Sequence, residues 1–349
     1  MLKVTRLIAV VLVAASAFSC ASGPKAANAK TAATPAWVLS PRDSYPESQF
    51  LAAVGSGPSR AEAASKAMAA LISVFGQSVT SSSTAMQHYA QAAKNGDITV
   101  DKSFSVNDTV NASFEYKLIL GAEIKETWYD GKSAYYALAA MDKLKSSLAY
   151  SQMLEKDSAT IEELTSVPEA DRNSLETFRR YALAADIADV DGQFVNILSV
   201  LSPGAAAASD AKTGATLRAE QMKIGQNLAF SVTVSGDQGD RIKSAIASVI
   251  TGAGFKTGDP SDSRYAVQAK IDISEITLQG NDNKFARYVL DVQIKDSKSD
   301  TVLIPFSDNG RSGQATLAEA ENRALRSAET AIKEKLGKAF TDYLATYSK

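Results

Sequence analysis

The sequence predicts an α+β protein built as two helix-on-sheet modules joined by a helical segment. Three observations predict it. Short runs of alternating apolar residues, bounded by Gly, Asp or Asn, occur near both ends of the chain. Segments with apolar residues three and four apart follow those runs. Between the two sets, residues 146–202 are rich in Leu, Ala, Glu and Lys and hold no alternating run. With 349 residues, 45% of them hydrophobic and 22% charged, the chain is long enough to bury two cores. A net charge of −2, from 37 basic and 39 acidic residues, excludes a strongly basic nucleic-acid binder as a description of the whole chain. The single Cys and single His exclude a disulfide framework and every metal or catalytic motif that needs two of either.

Residues 1–19 read as a leader. Lys3 and Arg6 precede the apolar run Leu7 to Ala15, which is of signal-peptide length and too short for a permanent membrane span. Ala17-Phe18-Ser19-Cys20 follows, so the one cysteine stands where such a leader is cut. This resembles the lipobox of bacterial lipoproteins, with Ala17 and Phe18 where the usual pattern has Leu and a small residue. The resemblance implies that Cys20 is acylated and becomes the first residue of the mature chain. Ala21 is not the Asp that retains many lipoproteins on the inner membrane, which implies the periplasmic side of the outer membrane.

Residues 20–36, with Gly23, Pro24, Pro35 and many small residues, read as a flexible tether. A first α+β domain is expected over 37–145. Phe50 to Val54 predicts a strand, ended by the turn Gly55-Ser56-Gly57-Pro58. Ser59-Arg60-Ala61-Glu62 reads as a capping box opening a helix with Ala64, Met68, Leu71, Ile72 and Phe75 on one stripe. Val79 to Met86 reads as extended, and Gln87 to Phe114 has no clear pattern. Leu118 to Trp128 predicts a strand, Asp130-Gly131 a two-residue hairpin turn, and Ala134 to Met141 the return strand.

Residues 146–202 predict two helices divided at Pro168, the second running from Leu175 through Arg179, Leu183 and Ile187. Pro203-Gly204 and the alanines after it mark a linker over 203–216. The remainder, 217–349, reads as a βαβββα module. Its elements are a strand at Phe230–Val234, a helix at Arg241–Ala253, and strands at Tyr265–Leu278, Tyr288–Lys295 and Thr301–Phe306. Thr316 opens the last helix, with Leu325, Ala328, Ile332, Leu336, Phe340, Leu344 and Tyr347 along one side. Ser59 to Met68 and Thr316 to Leu325 echo one another, by duplication or by convergence on good helix starts.

Pro35-Ala36-Trp37-Val38, Phe50 to Gly57, the Ala61-Glu62-Ala63 helix and the hairpin from Trp128-Tyr129-Asp130-Gly131 to Tyr135-Tyr136-Ala137-Leu138 form an ordered series. Over about residues 36–145 this resembles the LPP-twenty-type family of bacterial outer-membrane lipoproteins, which includes a lipoprotein of the flagellar basal disc. The resemblance implies a non-enzymatic envelope component that associates with itself or with partner proteins, held to the membrane through acylated Cys20. An activator of a cell-wall synthase and a small-ligand carrier are the alternatives. The first is weakened by the tether, since about 16 residues at roughly 3.5 Å each reach less than 60 Å.

Signals of chemistry are sparse, and no catalytic, cofactor or metal site is expected. His88 has no second His and reads as a surface or boundary residue. Gly55-Ser56-Gly57 lacks the Lys-Ser/Thr of a phosphate loop. Asp237 to Asp240, Asn281-Asp282-Asn283 and Asp308-Asn309-Gly310 lack the ligand spacing calcium needs and read as turns. Trp128, Tyr129, Tyr135 and Tyr136 read as a cross-strand cluster or an exposed binding patch, with Tyr135 and Tyr136 on opposite faces, one in the core and the other at the rim. Arg179-Arg180 and Lys333/Lys335 read as solvated charges rather than a nucleic-acid stripe. A hydrolase built on Asp240, Glu275 and Asp282 would need paired carboxylates in a cleft.

Overall fold

The computed structural model describes residues 33–76, 83–96, 119–208 and 212–347. It is an α+β structure with one three-stranded and one five-stranded sheet. The expected leader, Cys20 and most of the expected tether lie outside the described residues.

The first sheet holds β1 (Phe50–Gly57), β2 (Ala122–Tyr129) and β3 (Tyr135–Asp142) in the order β1-β3-β2, all antiparallel. The small residues of β1 let a helix approach closely. A Cβ added at Gly55 would lie 2.1 Å from the backbone nitrogen of Ala67 and 2.5 Å from the carbonyl oxygen of Ala63. Both belong to α3 (Arg60–Ser73). The expected Gly55–Pro58 turn is therefore strand through Gly57, and its glycines seat a helix rather than bend the chain. For the same reason the buried line of α3 is Ala63, Ala67 and Leu71, while Ala64, Met68 and Ile72 are only partly covered. Ser59 caps α3 by accepting from the Glu62 amide, but Glu62 pairs with Lys66 instead of completing the box.

Three further expectations need correction. Ser83–Asn95 is a helix, α4, so the C-terminal part of the expected extended stretch is helical. β2 begins at Ala122, not Leu118. The hairpin is closed by five residues rather than two, because the Asp130 carboxylate accepts the amides of Lys132, Ser133 and Ala134 and organises a wider loop. Those bonds hold Asp130 below the usual carboxylate range. The far side of the sheet is covered by Trp37 and Val38 of α1 (Ala36–Leu39) and by Tyr45, just after α2 (Pro41–Ser44), packed near Leu138 and Ala140.

α5 (Lys143–Thr165) and α6 (Leu175–Leu201) form the expected helix pair, capped by Asp142 and Ser174. Neither is a spacer. Tyr150, Met153, Ile161 and Leu164 of α5 join the first core, as do Leu183, Phe194 and Leu198 of α6. Leu175 at the start of α6 belongs to the second core. The expected linker contains α7 (Pro203–Ala207), and α8 (Gly214–Gln226) runs across its far boundary. Leu217 of α8 lies in the first core and Ile224 in the second.

The second sheet follows the expected βαβββα order with one short addition. β4 (Ala229–Ser235), α9 (Arg241–Gly252), β5 (Lys256–Thr257), β6 (Tyr265–Ile276), β7 (Lys284–Asp296) and β8 (Thr301–Gln314) give the order β5-β4-β6-β7-β8. β4 runs parallel to β5 and β6, and the other pairs are antiparallel. Tyr265, Val267, Ala269 and Ile271 face the core and alternate with residues such as Gln268, Lys270 and Asp272. Asp308-Asn309-Gly310, expected as a turn, lies within β8, where Gly310 leaves room for the Tyr288 ring. α10 (Leu317–Ala331), opened by a complete Thr316/Glu319 capping box, continues through a π-turn at Ile332–Leu336 into α11 (Gly337–Ala345). Four-residue steps along an α-helix drift by about 40°. The wider turn absorbs part of that drift and keeps Ala328, Ile332, Leu336, Phe340 and Leu344 buried in one core.

Candidate functional site

The chemistry that the structure concentrates lies among α4, α5, α6 and α8, not at the carboxylates singled out in the sequence. On α5 the buried line Tyr150, Met153, Leu154, Asp157, Ile161, Leu164 contains one carboxylate. On α6 the buried residues include Asp186, Asp191 and Gln193. Asp157 and Asp191 are 1% and 2% exposed and meet carboxyl to carboxyl. Asp157 also accepts from the hydroxyl of fully buried Tyr89 on α4, at 2.9 Å. Burial raises both carboxyls above the usual range, and the neighbouring Asp157 charge raises Asp191 further. Two carboxyls in contact under low dielectric share one proton between them. Burial likewise pushes the Tyr89 phenol up, so it stays a donor.

Asp191 also lines a cleft of about 640 Å³. One wall is the face of α5 that carries Leu154, Glu155, Ser158, Ile161 and Glu162, spaced to lie side by side on a helix. Leu198, Ala205 and Lys212 contribute from the other side. The Oδ1 atom of Asp191 is buried and has no hydrogen-bond partner.

Beside this pair is an exposed-to-buried ion cluster. His88 Nδ1 lies 2.6 Å from Asp186 Oδ2. Arg218 of α8 donates to Asp186 at 2.7 Å and to Asp189 at 2.6 Å. His88 is thus the boundary residue expected, but it is engaged rather than idle. Arg218 clamps α8 onto α6. With Arg218 about 41% exposed, solvent screening limits its worth. Arg218→Met is expected to cost about 1–2 kcal/mol in urea unfolding. A change below about 0.5 kcal/mol would show that the clamp carries no weight.

The remaining expected positions are dispersed. Asp240 sits before α9 with positive φ, Glu275 near the end of β6 pairs with Lys284, and Asp282 lies in the β6–β7 turn. Trp128 and Tyr136 pair across the strands with ring centres 5.4 Å apart, as do Tyr129 and Tyr135 at 4.6 Å; the two tyrosines of β3 lie on opposite faces as expected, but both pack against a core where one was expected at the rim. Arg179 and Arg180 are not free solvated charges. Arg179 donates to the Thr346 carbonyl and stacks on Tyr343, while Arg180 donates to the Leu164 carbonyl at 2.9 Å. Lys335 pairs with Asp308 at 2.6 Å. Among the described residues no group of three or more His, Cys, Asp and Glu is placed to hold a metal ion. Nor is any described helix long and apolar enough to cross a membrane.

The first sheet with α1 to α4 is also the part of the chain that has a match among known families. Residues 35–142 match the LPP20 lipoprotein family. The match covers the hairpin, Gly55 and α3, and leaves α6, α8 and the second sheet outside the LPP20 region. No curated protein matches the chain. Among solved structures, a secreted protein of Helicobacter pylori is similar at 14% identity, over 84% of this chain and 97% of that one, with a TM-score of 0.45. A minor lipoprotein of Acinetobacter baumannii matches at 14% identity over 34% of this chain and 93% of that one, TM-score 0.25. The PelC dodecamer of Paraburkholderia phytofirmans matches at 12% identity over 30% of this chain and 86% of its own, TM-score 0.20.

Proposed function

We propose that this is a lipid-anchored bacterial envelope protein, facing the periplasm from the outer membrane, that acts as a non-enzymatic binding or assembly component. The observation that carries the reading is the LPP20 lipoprotein match over residues 35–142, which begins 15 residues after Cys20 in the leader-and-cysteine arrangement that lipoproteins use. Fatty acids on Cys20, each contributing about 0.8 kcal/mol per buried methylene, would hold the body at the membrane. Confinement to a surface raises effective concentration, so modest contacts suffice for assembly. Strand edges with no pairing partner among the described residues supply such contacts: β1 and β2 flank the first sheet, and β5 covers β4 only at Ala229 and Phe230.

Expression of Cys20→Ala with labelled palmitate tests the reading. The native chain is expected to take up label and sediment with outer membranes, and the variant to lose both label and partner recovery. Unlabelled native protein, or a variant that still sediments, would sink the proposal. The cleft beside Asp191 favours a second reading, a small-ligand carrier.

A further inference from the structure

We propose that the cleft between α5 and α6 binds a small aliphatic amine, its ammonium group donating to Oδ1 of Asp191 and its carbon chain lying along Leu154, Ile161 and Leu198. The proposal deepens the carrier reading and does not depend on acylation at Cys20.

Four observations converge. Asp191 is 2% exposed, yet its Oδ1 has no partner. A buried acceptor left unsatisfied costs free energy that a donor arriving from the cleft recovers. The cleft, at about 640 Å³, has the size of small-molecule sites. Its lining combines apolar side chains suited to a carbon chain with Ser151 and Ser158, whose hydroxyls suit the other ammonium hydrogens. Its charge is acidic: Glu155 and Glu162 outnumber Lys212, and among the described residues neither glutamate is held in an ion pair. A neutral alcohol would satisfy Oδ1 as a donor but gain nothing from that excess of negative charge.

Binding also moves a proton. A cation against Asp191 favours its ionised form, so the proton shared with Asp157 leaves to solvent as the ammonium enters. The groups that face the acid pair are Lys156 on α5 and Tyr89 on α4, and Glu155, Glu162 and Lys212 line the same cleft. Tyr89 keeps its proton, so the acid pair is the source. Amine affinity is therefore expected to rise with pH until the amine itself deprotonates, near pH ~10.

Calorimetric titration of the full chain with pentylamine, in two buffers of different ionisation enthalpy, tests this, with 1-pentanol as the neutral isostere. One pentylamine per chain is expected, with proton release to buffer. Asp191→Asn and Ala208→Trp should each weaken binding about tenfold or more, the second by filling the cleft mouth at an exposed position away from the acid pair. Should Asp191→Asn melt early, Ala208→Trp decides alone. Equal affinity for 1-pentanol would overturn the proposal, as would unchanged binding in the decisive variant. No saturation by about 10 mM pentylamine would do the same. Preference for a capped lysine peptide over pentylamine would assign the cleft to a protein segment and also overturn it.

Discussion

Gly55→Ala is expected to destabilise the protein by about 3 kcal/mol, which for a domain of this size lowers the melting temperature by roughly 10 °C. The methyl group would fall 2.1 Å from a backbone nitrogen and 2.5 Å from a backbone carbonyl oxygen of α3. No rotamer change relieves that contact, since the obstructing atoms are main chain. Either α3 lifts off the sheet, opening gaps beside Leu71 and Ala139, or β1 slips against Tyr135–Asp142 and loses its pairing. Gly192→Ala is the control. Its Cβ would meet nothing within 4 Å, and a helical alanine in place of glycine stabilises by about 0.5–1 kcal/mol. Thermal melts of the two variants should move in opposite directions. A Gly55→Ala melt within about 2 °C of the native value would mean that α3 does not rest on the sheet as described.

The second large effect is a pH dependence centred on Asp157 and Asp191. Burial raises the proton affinity of both above that in the unfolded chain, and the Asp157 charge raises that of Asp191 further. Their contribution to stability is fully present below the ordinary carboxylate range near pH ~4 and is lost as pH climbs through the raised values. Stability should therefore fall on going from about pH 7 to about pH 9.5, as the shared proton is lost and two charges face each other under low dielectric. Asn at position 191 keeps a donor toward Asp157 and removes the second charge. Asp191→Asn is expected to lie within about 1 kcal/mol of the native protein at neutral pH and to exceed it by about 3 kcal/mol in the alkaline range. Parallel stability profiles for the two proteins, measured by urea unfolding across that range, would remove the shared proton from the account.

The fold was readable where one periodicity dominated. Val267, Ala269 and Ile271 alternate without interruption, and Leu325 through Leu344 hold a helical stripe, so β6 and the C-terminal helix stand close to where the residues place them. Reading failed where a residue type had two uses. Glycine in Gly55-Ser56-Gly57 signals a turn locally, whereas a helix pressed onto the strand needs it for lack of a side chain. Asp308-Asn309-Gly310 has turn composition, yet partners across β7 draw it into a strand. Asp130 widened its own loop through three amides, which the Asp-Gly pair alone does not announce. The acid pair carried a signal that went unused. Asp157 interrupts an otherwise apolar line from Tyr150 to Leu164, and a carboxylate at a core position calls for a partner. That the partner is Asp191, with Tyr89 as third member, depends on how three helices meet, which no local pattern encodes.

Because α6 is inner material for both cores, the two sheets share a helix rather than a hinge. Its first residues donate to the Tyr265 hydroxyl at 2.7 Å, and Arg179 clasps the last turn before the carboxyl end. A load on the first sheet is thus passed along α6 into the second core. A chain cut near residue 146 would expose a sticky flank of the kind that proteases and chaperones seize, so shortened forms should vanish from cells rather than persist as fragments.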